Sequence, residues 1–107
     1  MLPQKNRLPP EEFKTRSRKT LSTPYFLVKF APNREGRNRF GFIISASAVK
    51  KSVDRHYWKR RLSEHVQKWR NTGCDFLIIV SSRIRDAEEQ DVREEIEKVN
   101  SLLASSS

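Results

Sequence analysis

The sequence contains very little cysteine, since Cys74 is the only one among its 107 residues. A single cysteine cannot form a disulfide within the chain, and its thiol is typical of a protein from a reducing compartment. Cys74 stands just before an apolar run, so we expect a buried or half-buried thiol. No base is apparent beside it in the sequence, which argues against a catalytic role.

Long apolar runs are also missing. No stretch approaches the roughly 20 residues that a membrane-spanning helix needs, and residues 1–10 lack the apolar segment of a secretory signal. These absences predict a cytoplasmic protein with no membrane partner. A chain of this length builds one modest core, so we expect a single domain over residues 1–107. Within it, residues 1–8 are predicted to form an extended arm and residues 104–107 a frayed tail.

The patterns that usually carry enzyme chemistry are absent as well. There is no glycine-rich phosphate loop, no Cys/His zinc pattern and no serine nucleophile elbow. His56 and His65 are nine residues apart and would lie on opposite sides of one helix, so they cannot share a metal ion there. The dense carboxylates have the spacing of a solvated helix face: Asp86, Glu88, Glu89, Asp91, Glu94, Glu95 and Glu97. We therefore expect no protein active site, no metal site in the protein and no small-molecule substrate.

Positive charge is abundant and unevenly placed. Residues 1–71 hold 18 Lys and Arg against five Asp and Glu, whereas residues 72–107 hold four against eight. The net charge of the whole chain is +9. A strongly basic front followed by an acidic final segment predicts that one face of the protein meets a polyanion.

The centre of this basic region is a predicted helix over residues 50–70. At 100° per residue its large apolar side chains fall on one stripe, and cations cover most of the remaining surface. The stripe consists of Trp58, Leu62, Val66 and Trp69. Such a helix can bury its stripe and still present cations to a ligand, although an ordinary amphipathic helix with a solvated basic face has the same pattern.

Three further segments have strand patterns. Residues 25–30 and 39–45 alternate between apolar and other side chains, and a polar stretch over residues 31–38 is predicted to join them as a hairpin loop. Residues 74–80 are almost continuously apolar, which predicts a buried central strand. Residues 20–24 are either a short linker or an edge strand.

Two more helices are predicted near the ends of the chain. Pro9 and Pro10 can open a short helix whose apolar residue is Phe13, because the first helical turn needs no amide donors. The last helix follows Asp86. Its buried face is predicted to contain Ala87, Val92, Ile96, Val99 and Leu103.

Four stretches resemble patterns of one known family. They are residues 5–13 (KNRLPPEEF), 39–42 (RFGF), 55–62 (RHYWKRRL) and 73–75 (GCD). The third is similar to the Arg-Asn-Arg-x-Lys-Arg motif that begins the long helix of the protein subunit of bacterial ribonuclease P. The first resembles that family's Lys-x-x-Arg-Leu pattern followed by Phe. The resemblance covers nearly the whole chain.

The chain departs from the family pattern at three positions in and just before the basic motif, and Ser17 and Lys29 replace two further aromatic residues of the family's leader cleft. His56 stands where the family has Asn, Tyr57 where it has a second Arg, and Lys50 where it has Gly. Tyr57 brings no charge, so the motif has fewer cations than its relatives at neutral pH. Lys50 and Lys51, just upstream, are expected to offset this loss if the rebuilt loop turns them toward RNA.

The resemblance implies a fold and a set of site residues. The fold is an α+β two-layer sandwich of the ribosomal S5 domain 2-like type, in the order α-β-β-β-α-β-α with a left-handed β-α-β crossover. The implied RNA-binding residues are Lys50, Lys51, Arg55, His56, Tyr57, Lys59, Arg60 and Arg61. A cleft between the long helix, the first helix and the sheet would hold the 5′ leader of precursor tRNA, with Phe13, Arg16, Ser17 and Lys29 in it.

The resemblance also implies a function. The partners would be the ribonuclease P catalytic RNA and precursor tRNA, and the RNA subunit, holding Mg²⁺, would perform the cleavage. One alternative is a ribosomal or chaperone-like RNA-binding module with no role in tRNA processing. Another is a peripheral membrane protein using the Trp-rich basic helix, which is disfavoured because the apolar stripe is needed for the core.

Overall fold

The computed structural model describes residues 6–9, 19–33, 36–69 and 71–105. These residues form a four-stranded sheet and two α-helices. The strands are β1 (Lys19–Ser22), β2 (Phe26–Pro32), β3 (Arg39–Ile43) and β4 (Cys74–Val80), and the helices are α1 (Ser52–Val66) and α2 (Glu89–Ser105). A short 3-10 helix, Ser82–Asp86, precedes α2. The predicted α+β fold and its order from the first strand onward are confirmed.

The structure describes only part of the segments that were predicted for the two ends of the chain. The first helix predicted around Phe13 lies outside the described residues. Helix α2 continues to Ser105, which extends it into the predicted frayed tail. Residues 20–24, predicted to be a linker or an edge strand, contain most of β1, which lies at one edge of the sheet.

The order of the strands in the sheet is β1-β2-β4-β3. Strand β4 therefore lies between β2 and β3, antiparallel to the first and parallel to the second. The prediction of a hairpin over residues 31–38 was wrong, because the strands on either side of this loop both pair with β4. The physical reason is the apolar character of β4, which is best buried at a central position with a strand on each side.

The main core lies between the sheet and the two helices. Alternating residues of β2, β3 and β4 contribute one layer, and the apolar stripes of α1 and α2 contribute the other. The fully buried members are Phe26, Val28, Leu62, Val66, Ile78, Ile84, Val92, Ile96 and Val99. Of the face predicted for the last helix, Val92, Ile96 and Val99 are buried as expected, and Ala87 packs against them.

Helix α1 is shorter than its predicted range. It ends at Val66, where the amides of Lys68 and Trp69 bond three residues back, to the carbonyls of His65 and Val66. This tight turn places the Trp69 ring edge-on to Phe40 and Phe76, with ring centroids 5.7 and 5.4 Å apart. The turn rather than a further helical turn therefore buries the last member of the predicted stripe.

The described part of the N-terminal arm is fixed to the open edge of β3. The Leu8 amide donates to the Phe40 carbonyl at 2.9 Å, and Asn6 Nδ2 donates to the Asn38 carbonyl at 2.7 Å. Leu8 is buried against Leu77 on the sheet face that α1 does not cover. Arg7 forms a single parallel bridge with Phe40, Asn6 just before it lies in a 3-10 turn, and Leu8 anchors the arm to the sheet.

Gly41 makes room for this arm. A Cβ atom at position 41 would lie 2.5 Å from the Leu8 carbonyl oxygen and 3.4 Å from Leu77 Cδ1. Distances below 3 Å to a backbone atom require the backbone to move. The pattern Arg-x-Gly in this strand therefore reflects a close approach between two segments of backbone.

We expect Gly41→Ala to lower the free energy of unfolding by about 1–3 kcal/mol, the usual cost of overpacking. The measurement is urea denaturation of the full chain and of a chain lacking residues 1–9, each with and without the substitution. Without the arm the substitution should cost almost nothing. An equal cost in both backgrounds would show that the arm is not what Gly41 accommodates.

Candidate nucleic-acid interface

Helix α1 presents three different sides. Leu62 and Val66 are fully buried in the core, with Trp58 half-buried above them. On one flank of this buried stripe the side chains face the arm and β3, and on the other they face α2. Five of the predicted RNA-binding residues are divided between these two flanks: His56, Lys59 and Arg60 lie on the first, and Tyr57 and Arg61 lie on the second.

The first flank lines a groove of about 480 Å³. Its walls are α1, the arm and β3, and its lining residues are Arg7, Leu8, Pro9, Phe40, Gly41, Phe42, His56, Lys59, Arg60 and Ser63. His56, Lys59 and Arg60 are exposed at its mouth. Ser63 is buried and donates from its hydroxyl to the Lys59 carbonyl at 2.7 Å. We call this site the α1–arm groove.

The chemistry of the α1–arm groove suits a nucleic acid strand. Arg7, Lys59 and Arg60 supply cations that can neutralise phosphates. Pro9 is exposed and adds apolar surface against which a ribose or base can lie, and the buried Leu8 forms part of the groove floor. The groove is therefore both cationic and partly apolar. A small inorganic anion would need only the cations, whereas a nucleic acid strand can use both properties.

Arg55 has a different task from its neighbours in the motif. Its Nη1 donates to the carbonyls of Val49 and Lys50, at 2.8 Å each. These bonds tie the loop that precedes α1 to the first turn of the helix. Lys50 and Lys51 in this loop are exposed, so Arg55 holds in place the two lysines that were predicted to offset the lost motif cation.

The second flank of α1 meets the start of α2. The Tyr57 hydroxyl donates to Glu89 Oε2 at 3.1 Å, and Arg61 forms ion pairs with Glu89 and, at 2.9 Å, with Glu64. Burial lowers the pKa of His65, and the nearby cations Arg61 and Lys68 lower it further. His65 is therefore neutral at pH 7, and this flank has little excess positive charge.

The residues predicted for the leader cleft are only partly placed. Phe13, Arg16 and Ser17 lie outside the described residues. Lys29 lies in β2 beside Val28, whose side chain is fully buried on the α1 side of the sheet. Because side chains alternate along a strand, Lys29 points to the opposite face, where Leu8 and Leu77 also lie. Lys29 and the motif cations are thus on different surfaces.

Sequence reasoning missed the part that the arm plays in the groove. Arg7, Leu8 and Pro9 were assigned only to an extended arm and to a helix start, yet all three line the groove. A signal was present: Leu8 is an isolated apolar residue in a basic, polar segment, and the family pattern Arg-Leu includes it. The pairing with β3 could not be predicted, because nothing in the arm itself specifies its partner strand.

A polar network stabilises the far end of the sheet. Asp75 is 6% exposed and accepts bonds of 2.8 Å from Arg39 Nε, Arg39 Nη2 and Asn33 Nδ2. Burial alone would raise the pKa of Asp75, but these hydrogen bonds and the Arg39 charge hold it below its ordinary value. Asn38 Oδ1 accepts hydrogen bonds from the amides of Thr72 and Cys74. The Asn38 carbonyl accepts one from Asn6 Nδ2 in the arm.

Two properties of the described residues bear on ligand classes. Within residues 6–9, 19–33, 36–69 and 71–105, no three His, Cys, Asp or Glu side chains are grouped closely enough to hold a metal ion. No helix in the same part of the chain is long and apolar enough to cross a membrane.

The sheet order, the crossover through α1 and the cationic groove define a small α+β protein with one basic side. A family model described as Ribonuclease P matches residues 2–103. The chain therefore belongs to the ribonuclease P protein family, and the predicted resemblance is confirmed. No curated protein sequence gives a significant match to this chain.

Solved structures agree with this assignment of the fold. The RNase P protein from Thermotoga maritima has a TM-score of 0.68 at 23% identity, covering 78% of this chain and 83% of that one. The RNase P protein from Staphylococcus aureus has a TM-score of 0.70 at 19% identity, covering 80% and 81%. A mutant of the Staphylococcus aureus protein with defective mRNA degradation activity gives 0.73 at 18%, covering 82% and 76%.

Proposed function

We propose that this chain is the RNA-binding protein subunit of a bacterial ribonuclease P, the ribonucleoprotein that removes the 5′ leader from precursor tRNA. The observation that carries the proposal is the α1–arm groove, in which motif cations and the arm meet in a chain that belongs to the ribonuclease P family. The RNA subunit performs the cleavage, and the protein supplies binding and orientation.

The catalytic RNA binds at the α1–arm groove and at the loop before α1. Lys59 and Arg60 neutralise phosphates directly, and His56 adds a hydrogen-bond donor beside them. Lys50 and Lys51 extend the same surface around the start of the helix, and Arg55 contributes by holding their loop. Within the motif, Lys59 and Arg60 would therefore contact RNA directly, whereas Arg55 would act through the loop that it holds.

The leader of precursor tRNA lies on the sheet face opposite α1, so the long helix, which was predicted to border the leader cleft, does not border this surface. Lys29 is the described residue that supports this assignment, because it adds a cation to the sheet face on which Leu8 and Leu77 are buried. Phe13, Arg16 and Ser17 belong to the same proposal through the family pattern. Separate surfaces would let one small protein hold two RNA segments at once.

Mg²⁺ belongs to the RNA subunit in this proposal. The described residues contain no grouped carboxylates or imidazoles that fit a metal ion. The chain's own contribution is electrostatic: its cations replace some of the counterions that otherwise screen two RNAs from each other. The working complex would therefore need less Mg²⁺ than the RNA alone.

The RNA that co-purifies with the tagged protein from its native cell tests the proposal. We expect sequencing to recover a ribonuclease P RNA as the dominant species, reduced when Lys59 and Arg60 are both replaced by alanine. Enrichment of ribosomal RNA instead would favour a ribosomal or chaperone-like module. Recovery of no RNA would contradict both functions.

A further inference from the structure

We propose that Arg61 and Tyr57 form a phosphodiester-binding pair that Glu89 occupies in the free protein. Glu89 would then act as an internal competitor that limits the affinity for RNA. This inference rests on the proposed function, since it concerns the regulation of the same RNA-binding helix.

The contact has the form of a ligand held by two donors. Tyr57 and Arg61 are one helical turn apart on α1, and they meet different oxygens of one carboxylate. The Tyr57 hydroxyl donates to Glu89 Oε2, and Arg61 Nη2 pairs with Oε1. A phosphodiester also presents two unesterified oxygens that share one negative charge. A guanidinium beside a hydroxyl binds either group by the same hydrogen bonds.

Glu89 can be exchanged for another anion because the contact is open to water. The side chains of Arg61 and Glu89 retain 33% and 43% of their exposure. Ion pairs with this much exposure contribute little net stability, since each charge is well solvated when separated. Glu89 is also the first residue of α2, so its side chain can swing away without disturbing the helix core.

The position of Arg61 connects this pair to the rest of the RNA surface. Arg61 follows Arg60 directly on α1, and Arg60 lines the α1–arm groove. In the free protein Arg61 faces two carboxylates, Glu64 and Glu89, which more than offset its charge. Removing one of them would leave Arg61 available to the phosphate next to the one bound by Arg60.

The test compares Glu89→Gln with Glu94→Gln in binding to ribonuclease P RNA over a range of salt concentrations. Both substitutions raise the net charge by one and both lie on α2. Glu94 is exposed, and its side chain bonds with Gln90 at 3.2 Å rather than with a cation. We expect Glu89→Gln to bind several-fold more tightly than Glu94→Gln, with a salt slope steeper by about one phosphate contact.

Arg61→Gln in both backgrounds completes the cycle. We expect it to cost more affinity in the Glu89→Gln background than in the wild type, because only there is Arg61 released to RNA. Thermal unfolding of each variant verifies that it is folded, and Glu89→Ala in place of Glu89→Gln supplies a second route if Glu89→Gln is not.

Equal affinity and slope for the two Gln variants would overturn the inference, as would an equal loss on Arg61→Gln in both backgrounds. Either result leaves the proposed function intact as long as the wild-type protein binds ribonuclease P RNA. Failure of the wild-type protein to bind that RNA would instead reject the proposed function.

Discussion

Replacing Lys59 and Arg60 together by alanine should weaken binding to ribonuclease P RNA by about 30-fold, on the basis of roughly 1 kcal/mol for each phosphate contact. Both side chains line the α1–arm groove and are exposed there. Neither takes part in the core, so the variant should fold normally. The dependence of affinity on salt should fall by about two phosphate contacts, because two counterion-releasing cations are gone.

A matched control is available on α2. Arg93 and Lys98 are exposed, and replacing both by alanine removes the same net charge outside the groove lining. This control should change RNA affinity only slightly. If the two double variants lose the same affinity and the same salt slope, binding reflects overall charge, and the groove has no special part in it.

Asp75→Asn should lower the free energy of unfolding at pH 7 by about 3 kcal/mol, the usual cost of breaking a buried ion pair. Asp75 is buried and holds Arg39 through two hydrogen bonds and Asn33 through a third. The amide keeps the shape of the side chain but removes the negative charge that Arg39 contacts through two hydrogen bonds. The measurement is urea denaturation of the two proteins at neutral pH.

The same comparison at lower pH tests the cause. The folded-state pKa of Asp75 lies below its ordinary value, so its carboxylate stabilises the fold above the unfolded pKa of about 3.9. That stability is lost as the pH falls through the folded pKa. The difference between wild type and Asp75→Asn should therefore shrink below about pH 4. A difference that stays constant down to about pH 2 would mean that the ion pair is not its source.

Much of the fold followed from local patterns. The continuous apolar run over residues 74–80 predicted a buried central strand, and alternation predicted the strands around Val28 and Phe40. The insertion of β4 between β2 and β3 was not predictable in this way. It depends on pairing between strands distant in the sequence, and the polar loop over residues 31–38 has the same composition as a hairpin.

The candidate site was predictable in its location but not in the roles of its residues. The basic motif marked α1, and its periodicity separated cations from the buried stripe. That Arg55 holds a loop and that Arg61 pairs with Glu89 depends on how neighbouring segments dock against the helix. Guanidinium groups look alike in a sequence whether they face a carbonyl, a carboxylate or solvent.

The central claim is that this protein enables an RNA to process precursor tRNA without cleaving it itself. Its most direct test is 5′ processing of precursor tRNA by the protein alone, by the co-purifying ribonuclease P RNA alone, and by both together. We predict cleavage by the RNA alone only at high Mg²⁺, cleavage by the complex at low Mg²⁺, and none by the protein alone. Mg²⁺-dependent cleavage by RNA-free protein, or no effect of the protein on the RNA at low Mg²⁺, would contradict the account.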